Sequence, residues 1–307
     1  MSSSSSFEIN RNKWPWVEEK HEAWETKEWP KITVITPSFN QGRFIEQTIR
    51  SVVMQAYPNL EYMIFDAGST DDTIEIIRKY ERYLAYWESK PDRGQSHAIN
   101  KGLARATGDI LCWLNSDDYY LPDTLREVAD ALAEGRGNFA VVGHCIQVYD
   151  DGRPPVEGEG RYEGIDCLLQ FWKGYHMHQP SIFWRREVFD RVGYLDESLH
   201  MTMDFDYWVR IAKHFDFTNL NRPLSYSTYH AGAKTGDNFA RYNTELMQRA
   251  PHYWPRKPFL TYYRMKTSMF AHMIVQPKLR RLRALAAYYP RRAWSLLSKP
   301  FTSRASA

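Results

Sequence analysis

Residues 31–40 read Lys31-Ile32-Thr33-Val34-Ile35-Thr36-Pro37-Ser38-Phe39-Asn40. Ile32 to Ile35 lacks the strict apolar–polar alternation of a half-exposed strand, so it reads as a strand buried on both faces. A helix follows Asn40, with Phe44, Ile45, Ile49, Val52 and Val53 on one face at helical spacing. The same unit then repeats. Leu60 to Phe65 is a second strand, and Ser69 or Thr70 caps a second helix with Asp71 and Asp72 in its positive first turn. That helix turns Ile74, Ile77, Tyr80 and Leu84 inward. A short strand near Ala85-Tyr86-Trp87, a helix near Gln95 to Ala106 and a fourth strand from Asp109 to Leu114 complete the series. Strands alternating with helices predict an α/β fold with a mostly parallel sheet flanked by helices.

Beyond residue 120 the pattern is less regular. Phe139 to Val148 reads as one long strand or a strand pair, and the Gly- and Pro-rich stretch Asp151 to Gly160 as a loop. Short helices are expected at Gly164 to Lys173, Arg186 to Val192 and Met203 to His214. From about Asn238 the chain reads as helical, interrupted by Pro251, Pro255, Pro258 and Pro277. The expected organisation is a Trp-rich extension over residues 1–30, a catalytic-type domain over 31–237 with halves 31–120 and 121–237, and a basic helical extension over 238–307.

The 307 residues carry a net charge of +3, too small for the size to argue nucleic-acid binding. Apolar content of 43% and charged content of 25% are those of a globular chain. Trp14, Trp16, Trp24 and Trp29 suggest that the first segment packs onto the body. Cys112, Cys145 and Cys167 are odd in number and lack close-paired spacing, which fits buried free thiols. His144 beside Cys145 is no nucleophile pair, because neighbours on a strand point to opposite faces. No apolar run reaches the roughly 18 residues of a membrane span, and Met1 to Ser6 lacks the order of a signal peptide. A cytoplasmic location is expected. Lys278-Leu279-Arg280-Arg281-Leu282-Arg283-Ala284-Leu285 could, as a basic amphipathic helix, touch the inner face of a membrane; packing of its leucines on the domain is the plainer reading.

In an open parallel sheet, ligands bind beyond the carboxyl ends of the strands. The residues after each strand are therefore informative: Thr36-Pro37-Ser38-Phe39-Asn40, Asp66-Ala67-Gly68-Ser69-Thr70-Asp71, Pro91-Asp92-Arg93-Gly94-Gln95-Ser96 and Asn115-Ser116-Asp117-Asp118. All four loops are polar and three carry carboxylates. The first has a single glycine, Gly42, and no Walker lysine, which excludes the glycine-rich phosphate loops. A divalent cation on Asp117, with Asp118 beside it, would hold a pyrophosphate instead, since hard oxygen ligands suit Mg²⁺ or Mn²⁺. The plainer alternative is that these acids cap a helix opening near Leu121-Pro122-Asp123.

Taken in order, Thr36–Asn40, Asp66–Asp71, Asn100-Lys101-Gly102 with Ala106-Thr107-Gly108, and Leu114–Asp118 resemble the successive signatures of glycosyltransferase family 2. The resemblance covers about residues 31 to 235. It implies a GT-A fold, a nucleotide-diphospho sugar donor, a divalent cation and inversion at the anomeric carbon. By position, Asp66 would read the nucleobase, uracil in many relatives, and Pro37, Ser38 and Phe39 would flank base and ribose. Asp92, Arg93, Gly94 and Asn100 would lie near the ribose and the sugar, with Asn40, Gly68 and Ser116 completing the donor set. Asp117 would be the metal-binding acid. Two positions depart from the pattern: Asn115 stands where the first acid of the Asp-x-Asp motif belongs, and Ala67 where a second Asp usually follows Asp66.

The resemblance also implies a catalytic base at the start of a helix. Met203-Asp204-Phe205-Asp206-Tyr207-Trp208-Val209-Arg210 fits, with Met203 in place of Glu. Asp204 would take the proton of an acceptor hydroxyl, while Asp206 pairs with Arg210 at i,i+4. His178 and Gln179 resemble acceptor-side residues. His230, ahead of Gly232 and Lys234, resembles a segment closing over the diphosphate, with His230 completing the metal shell and Lys234 neutralising phosphate charge. His176 and His178 lack a third ligand for zinc. The expected activity is a hexosyltransferase-type transfer to a glycan or lipid-linked acceptor in polysaccharide or glycoconjugate synthesis, with a UDP-type donor. The alternatives are a sugar nucleotidyltransferase, whose Gly-rich triphosphate loop the first strand end does not supply, and a non-catalytic sugar-nucleotide binder.

Overall fold

The computed structural model describes residues 13–17, 28–133, 137–169, 177–234 and 239–253. Chain contacts divide the protein into two units, residues 1–249 and 250–307. The first contains the sheet, its helices and the cavity they form. Of the second, only the last residues of one helix are described, and the expected basic helix at 278–285 lies outside the described residues, as do Trp24 and His176.

Residues 31–120 take the alternating strand–helix form that the sequence predicts. β1 (Ile32–Ser38) is buried along its whole length and pairs in parallel with β2 (Leu60–Asp66) and with β4 (Ile110–Trp113). β3 (Tyr86–Ser89) adds to β2, also in parallel. Helices α1 (Ile45–Val53), α2 (Thr73–Lys79) and α3 (Gln95–Arg105) connect these strands. Gly102 lets α3 lie directly on β1: a Cβ there would come within 2.5 Å of the Ile35 side chain. α2 starts later than expected, at Thr73. Asp71, expected inside its first turn, lies ahead of it: one oxygen accepts the Thr73 N–H at 3.1 Å and the Thr73 hydroxyl at 2.5 Å, and the other accepts the Gly42 N–H at 2.9 Å.

The second half extends this sheet through mostly antiparallel pairings, giving the order β3-β2-β1-β4-β8-β6-β9-β5 with β7 on β6. The strands are β5 (Tyr119–Tyr120), β6 (Ala140–Tyr149), β7 (Val156–Gly158), β8 (Ile182–Arg185) and β9 (Phe217–Tyr229). β6 is one long strand, and the expected loop 151–160 contains β7. The thirteen residues of β9 were not anticipated, because Asn219, Asn221, Arg222 and Pro223 break any apolar period. β9 forms through parallel pairing with β6, with register shifts near His144.

Four further helices lie along this half: α4 (Thr124–Ala131), α5 (Ile165–Leu168), α6 (Arg186–Val192) and α7 (Met203–Ala212). α7 is fixed by an aromatic cluster in which Trp208 stacks on Trp113 of β4 at 5.1 Å between ring centres, with Trp184 and Tyr207 edge-on. Such pairs add about 0.5–1.5 kcal/mol each beyond burial. α8 (Phe239–Tyr253) starts just past the expected domain end at 237, and its residues up to 249 belong to the first unit.

At the N-terminal end, Trp14 donates its indole N–H to the Tyr120 carbonyl at 2.7 Å, and Arg50 donates to the Pro15 carbonyl at 3.1 Å. Cys112 and Cys145 are buried free thiols, both pushed up to about 12 by burial, and Cys167 is half-buried. His144 pairs with Glu157 at 3.0 Å. Among the described residues no helix is long and apolar enough to cross a membrane.

Candidate active site

The carboxyl ends of the four parallel strands open onto a cavity of about 920 Å³. Its first wall is Pro37 and Ser38 at the end of β1 with Phe39 just after it, Ala67 after β2, Asp92, Gly94 and Gln95 after β3, and Asn115 to Asp118 after β4. Its second wall is built by the antiparallel half: Met177 to Pro180, His200 to Asp204, Ser227 to Tyr229, Gly232 to Lys234, and Arg241 of α8. Asp117 and Asp204, 87 positions apart in the numbering, thus face one space.

Asp117 meets His230, whose Nε2 lies 3.2 Å from Oδ2 of the carboxylate. The imidazole is held against Phe44, with ring centres 4.3 Å apart. Asp118 behaves differently. It is 4% exposed, accepts the Thr228 N–H at 3.0 Å and faces the Asn115 amide at 3.3 Å. Burial first, and then the neighbouring Asp117 charge, raise its carboxyl well above the usual range. Asp118, expected to join Asp117 at a cation, lines the cavity with its oxygens engaged by Thr228 and Asn115. These acids do not cap α4, which begins at Thr124 behind Asp123.

Asn115 stands at the centre of a directional hydrogen-bond relay across the cavity floor. Lys234 Nζ donates to Gln95 Oε1 (2.8 Å), and Gln95 Nε2 to Asn115 Oδ1 (2.7 Å). Asn115 Nδ2 donates to Gln179 Oε1 (3.1 Å), and Gln179 Nε2 to the Trp113 carbonyl (2.7 Å). The relay ties the expected donor side to Gln179 and to Lys234. His178 lines the cavity next to Gly158, where a Cβ would come within 2.5 Å of its Nε2.

Asp204 sits in the first turn of α7, with the Phe205 N–H donating to its Oδ1 at 2.7 Å. Burial raises its carboxyl, and the Lys234 charge opposes that rise. A half-buried carboxylate of raised basicity that faces a cavity is suited to accept a proton. Asp206 bonds Arg210 at 2.9 Å, as its spacing predicts.

Several residues expected at the donor lie elsewhere. Asp66 is fully buried and does not line the cavity; its oxygens accept the N–H groups of Gly68 and Ser69 and the hydroxyls of Ser69 and Ser89 at 2.5–3.0 Å. It shapes the loop after β2, with Gly68 at φ 86°, and leaves Ala67 at the wall. Asn40 helps to tie that loop: its N–H donates to Ser69 Oγ at 2.7 Å and its side chain accepts the Thr70 N–H at 2.9 Å. Arg93 pairs with Glu197 at 2.6 Å, and the Asn100 amide clasps the backbone of Leu195 from both sides. Position after a strand places a residue at the sheet edge, but hydrogen-bonding partners from the second half decide whether its side chain reaches the cavity.

The model of the family described as glycosyl transferase family 2 matches residues 33–193. The chain belongs to glycosyltransferase family 2. An uncharacterized glycosyltransferase of Mycobacterium tuberculosis (strain CDC 1551 / Oshkosh) is 32% identical over 189 residues, 60% of this chain and 69% of that protein. TuaG of Bacillus subtilis (strain 168), named as a putative teichuronic acid biosynthesis glycosyltransferase, is 35% identical over 41% of this chain and 50% of its own length. The fold is that of TarS 1–349 of S. aureus, solved with UDP-GlcNAc, at a TM-score of 0.61 and 19% identity over 78% of this chain and 73% of that one. It is also that of the mannosyltransferase PcManGT of Pyrobaculum calidifontis, solved with GDP-Man and Mn²⁺, at 0.56 and 21% over 88% and 87%. The GT-A expectation therefore holds for this glycosyltransferase.

Its cavity contains residues that the sequence did not single out. Gln95, right after Gly94 at the start of α3, was legible from its place at the sheet edge. Arg241 had no local signal: it lies on α8, beyond the expected domain boundary.

Proposed function

We propose that this glycosyltransferase moves a sugar from a UDP-sugar to an acceptor hydroxyl with inversion, in the synthesis of a cell-surface glycan. The reading rests on one observation: Asp117 and Asp204 line a single cavity of about 920 Å³, large enough for a sugar nucleotide and the end of an acceptor. The acceptor oxygen forms a bond to the anomeric carbon on the face opposite the diphosphate. The bond from that carbon to the diphosphate oxygen breaks, the nucleoside diphosphate leaves, and the acceptor proton passes to Asp204. Phe39, 56% exposed at the cavity wall, offers a face on which a base can stack. The UDP-GlcNAc bound to TarS favours a UDP-sugar, and the naming of TuaG as a putative teichuronic acid biosynthesis glycosyltransferase favours a polysaccharide product.

Asp117 and His230 fit a divalent cation. Their facing atoms are 3.2 Å apart, close to the roughly 3.0 Å between adjacent ligands of an octahedral ion with bonds of about 2.1 Å. Among the described residues no group of three His, Cys, Asp or Glu side chains converges, so donor oxygens and water would complete the shell. Mg²⁺ or Mn²⁺ held there would neutralise charge on the diphosphate. Lys234, tethered to Gln95, supplies a further positive charge to the same cavity. The basic segment Lys278–Leu285 would bring the enzyme to anionic lipid bearing the acceptor.

The test is turnover of a panel of UDP- and GDP-sugars in Mn²⁺, read as release of nucleoside diphosphate. Asp204→Asn should abolish turnover while leaving nucleotide binding intact; undiminished turnover in that variant would remove Asp204 from the role of base.

A further inference from the structure

The proposed base stands in the first turn of α7, and a helix start leaves N–H groups that need acceptors from outside. Thr202 precedes the helix, yet its side chain caps none of the helical N–H groups. The acceptor for the approach to the helix comes from 41 residues beyond Asp204. Glu245 Oε1 accepts the Met201 N–H at 2.9 Å, the Thr202 N–H at 2.8 Å and the Thr202 hydroxyl at 2.7 Å, and Oε2 accepts the His200 N–H at 3.0 Å. One carboxylate thus gathers three consecutive backbone N–H groups, all within four residues of Asp204, at the positive end of α7.

The rest of this loop is held at both flanks. Arg249, one turn further along α8, pairs with Asp196, and Ser96 of α3 donates to the Leu199 carbonyl at 3.3 Å. The loop 195–202 is therefore clamped between α3 and α8, and the last clamp before Asp204 is Glu245. Arg241, one turn earlier on α8, lines the same cavity as Asp204.

We infer that Glu245 is a positioning residue for transfer: it fixes the backbone that leads into Asp204 and brings a negative charge to the start of the helix that carries that carboxylate. The inference rests on the reading of Asp204 as base. Among the described residues, the charged and titratable groups that act on Asp204 are Lys234 from the segment after β9 and Tyr242 and Glu245 from α8, and Arg241 of α8 lines the same cavity. Of these, Lys234 lowers the basicity of Asp204 and Glu245 increases it. The Glu245 carboxyl itself is held low: burial opposes ionisation, but the Thr202 hydroxyl and the three N–H groups outweigh it, so the group is charged at neutral pH. Glutamine at 245 keeps the oxygen that receives three of the four donors and removes the charge. Alanine removes both.

Two measurements on the full chain test this. The first is hydrolysis of UDP-N-acetylglucosamine and GDP-mannose in Mn²⁺. Here water forms the new bond to the anomeric carbon, the bond to the diphosphate oxygen breaks, and the water proton goes to Asp204. Glu245→Ala should lower kcat about 100-fold with donor KM within about twofold, the scale of a misplaced catalytic group. Glu245→Gln should recover most of that loss and move the acid limb of the kcat profile down by about half a pH unit or more, because a neighbouring negative charge is gone. The second measurement needs no substrate. With aspartate labelled by ¹³C at Cγ, the Asp204 resonance is identified by its loss in Asp204→Asn, and its titration midpoint should fall in Glu245→Gln. An unchanged midpoint overturns the inference, as does an unchanged kcat in Glu245→Ala. Full hydrolysis by Asp204→Asn would instead bring down the assignment of the base, while the midpoint would still report on Glu245.

Discussion

His230 illustrates how one side chain serves two neighbours. Its ring lies on Phe44 from the loop before α1, and its Nε2 faces Asp117 after β4, so the end of β9 is tied to the loop that carries Asp117. Removing the ring while keeping the backbone should spare the fold and weaken the cation. In His230→Ala, the Mn²⁺ concentration giving half-maximal turnover should rise about tenfold or more, on the scale of partners lost around a metal, with a smaller fall in rate at saturating Mn²⁺. A metal titration of activity identical to that of the unaltered enzyme would take His230 out of the cation site. This residue was legible in the sequence because it lies ahead of Gly232 and Lys234 in a recognisable segment. Asp66 was legible only as a position. Nothing in Asp66-Ala67-Gly68-Ser69 says that the carboxylate turns inward to bond the N–H groups of its own loop, leaving a methyl group at the wall.

At the scale of elements, the sheet edge is made by β3 and held to α3 through Glu88. Its carboxylate accepts Lys101 Nζ of α3 at 2.9 Å, faces Lys90 at 3.1 Å and takes the Tyr86 hydroxyl at 3.0 Å. Burial works against ionisation here, yet the Lys101, Lys90 and Tyr86 bonds outweigh it and lower the carboxyl to about 2. A depressed folded-state value means that the contribution to stability is present above about pH 4.5 and is lost as pH falls towards 2. Glu88→Gln should therefore unfold more easily in urea at pH 7, by at most a few kcal/mol, and the gap to the unaltered chain should narrow as pH drops from 4.5 to 3. A gap independent of pH would mean that the pairing adds nothing through charge. The parallel half, including this edge, could be read from the sequence because each strand is a short apolar run followed by a helix of clear period. The antiparallel half could not. β9 owes its existence to β6 rather than to its own pattern, and α8 reaches the backbone ahead of Asp204 through Glu245, contacts that no local spacing reveals. Arg93 and Asn100 were misplaced for the same reason: their partners, Glu197 and Leu195, lie about 100 residues away.

For the whole first unit, ligand binding and folding are linked, and this allows the donor and the cation to be separated without an acceptor. A ligand that binds only the folded state stabilises it by about 2.7 kcal/mol at a hundredfold excess over its Kd, which for a unit of this size raises Tm by about 5 °C. The cavity walls come from both halves of the unit, from Pro37 after β1 to Arg241 on α8, so an occupant that spans them resists opening of either half. UDP alone can use Phe39 and the strand ends. On the proposed cation site, UDP with Mn²⁺ would also engage Asp117 and His230. Differential scanning fluorimetry should therefore show a larger shift for UDP with Mn²⁺ than for the sum of the two added singly. In Asp117→Asn that excess should vanish, while the shift from UDP alone persists. If the excess survives in the variant, the cation is held by other groups; if UDP gives no shift with or without Mn²⁺ but GDP does, the preference for uracil is wrong and the Asp117 assignment stands to be tested with GDP.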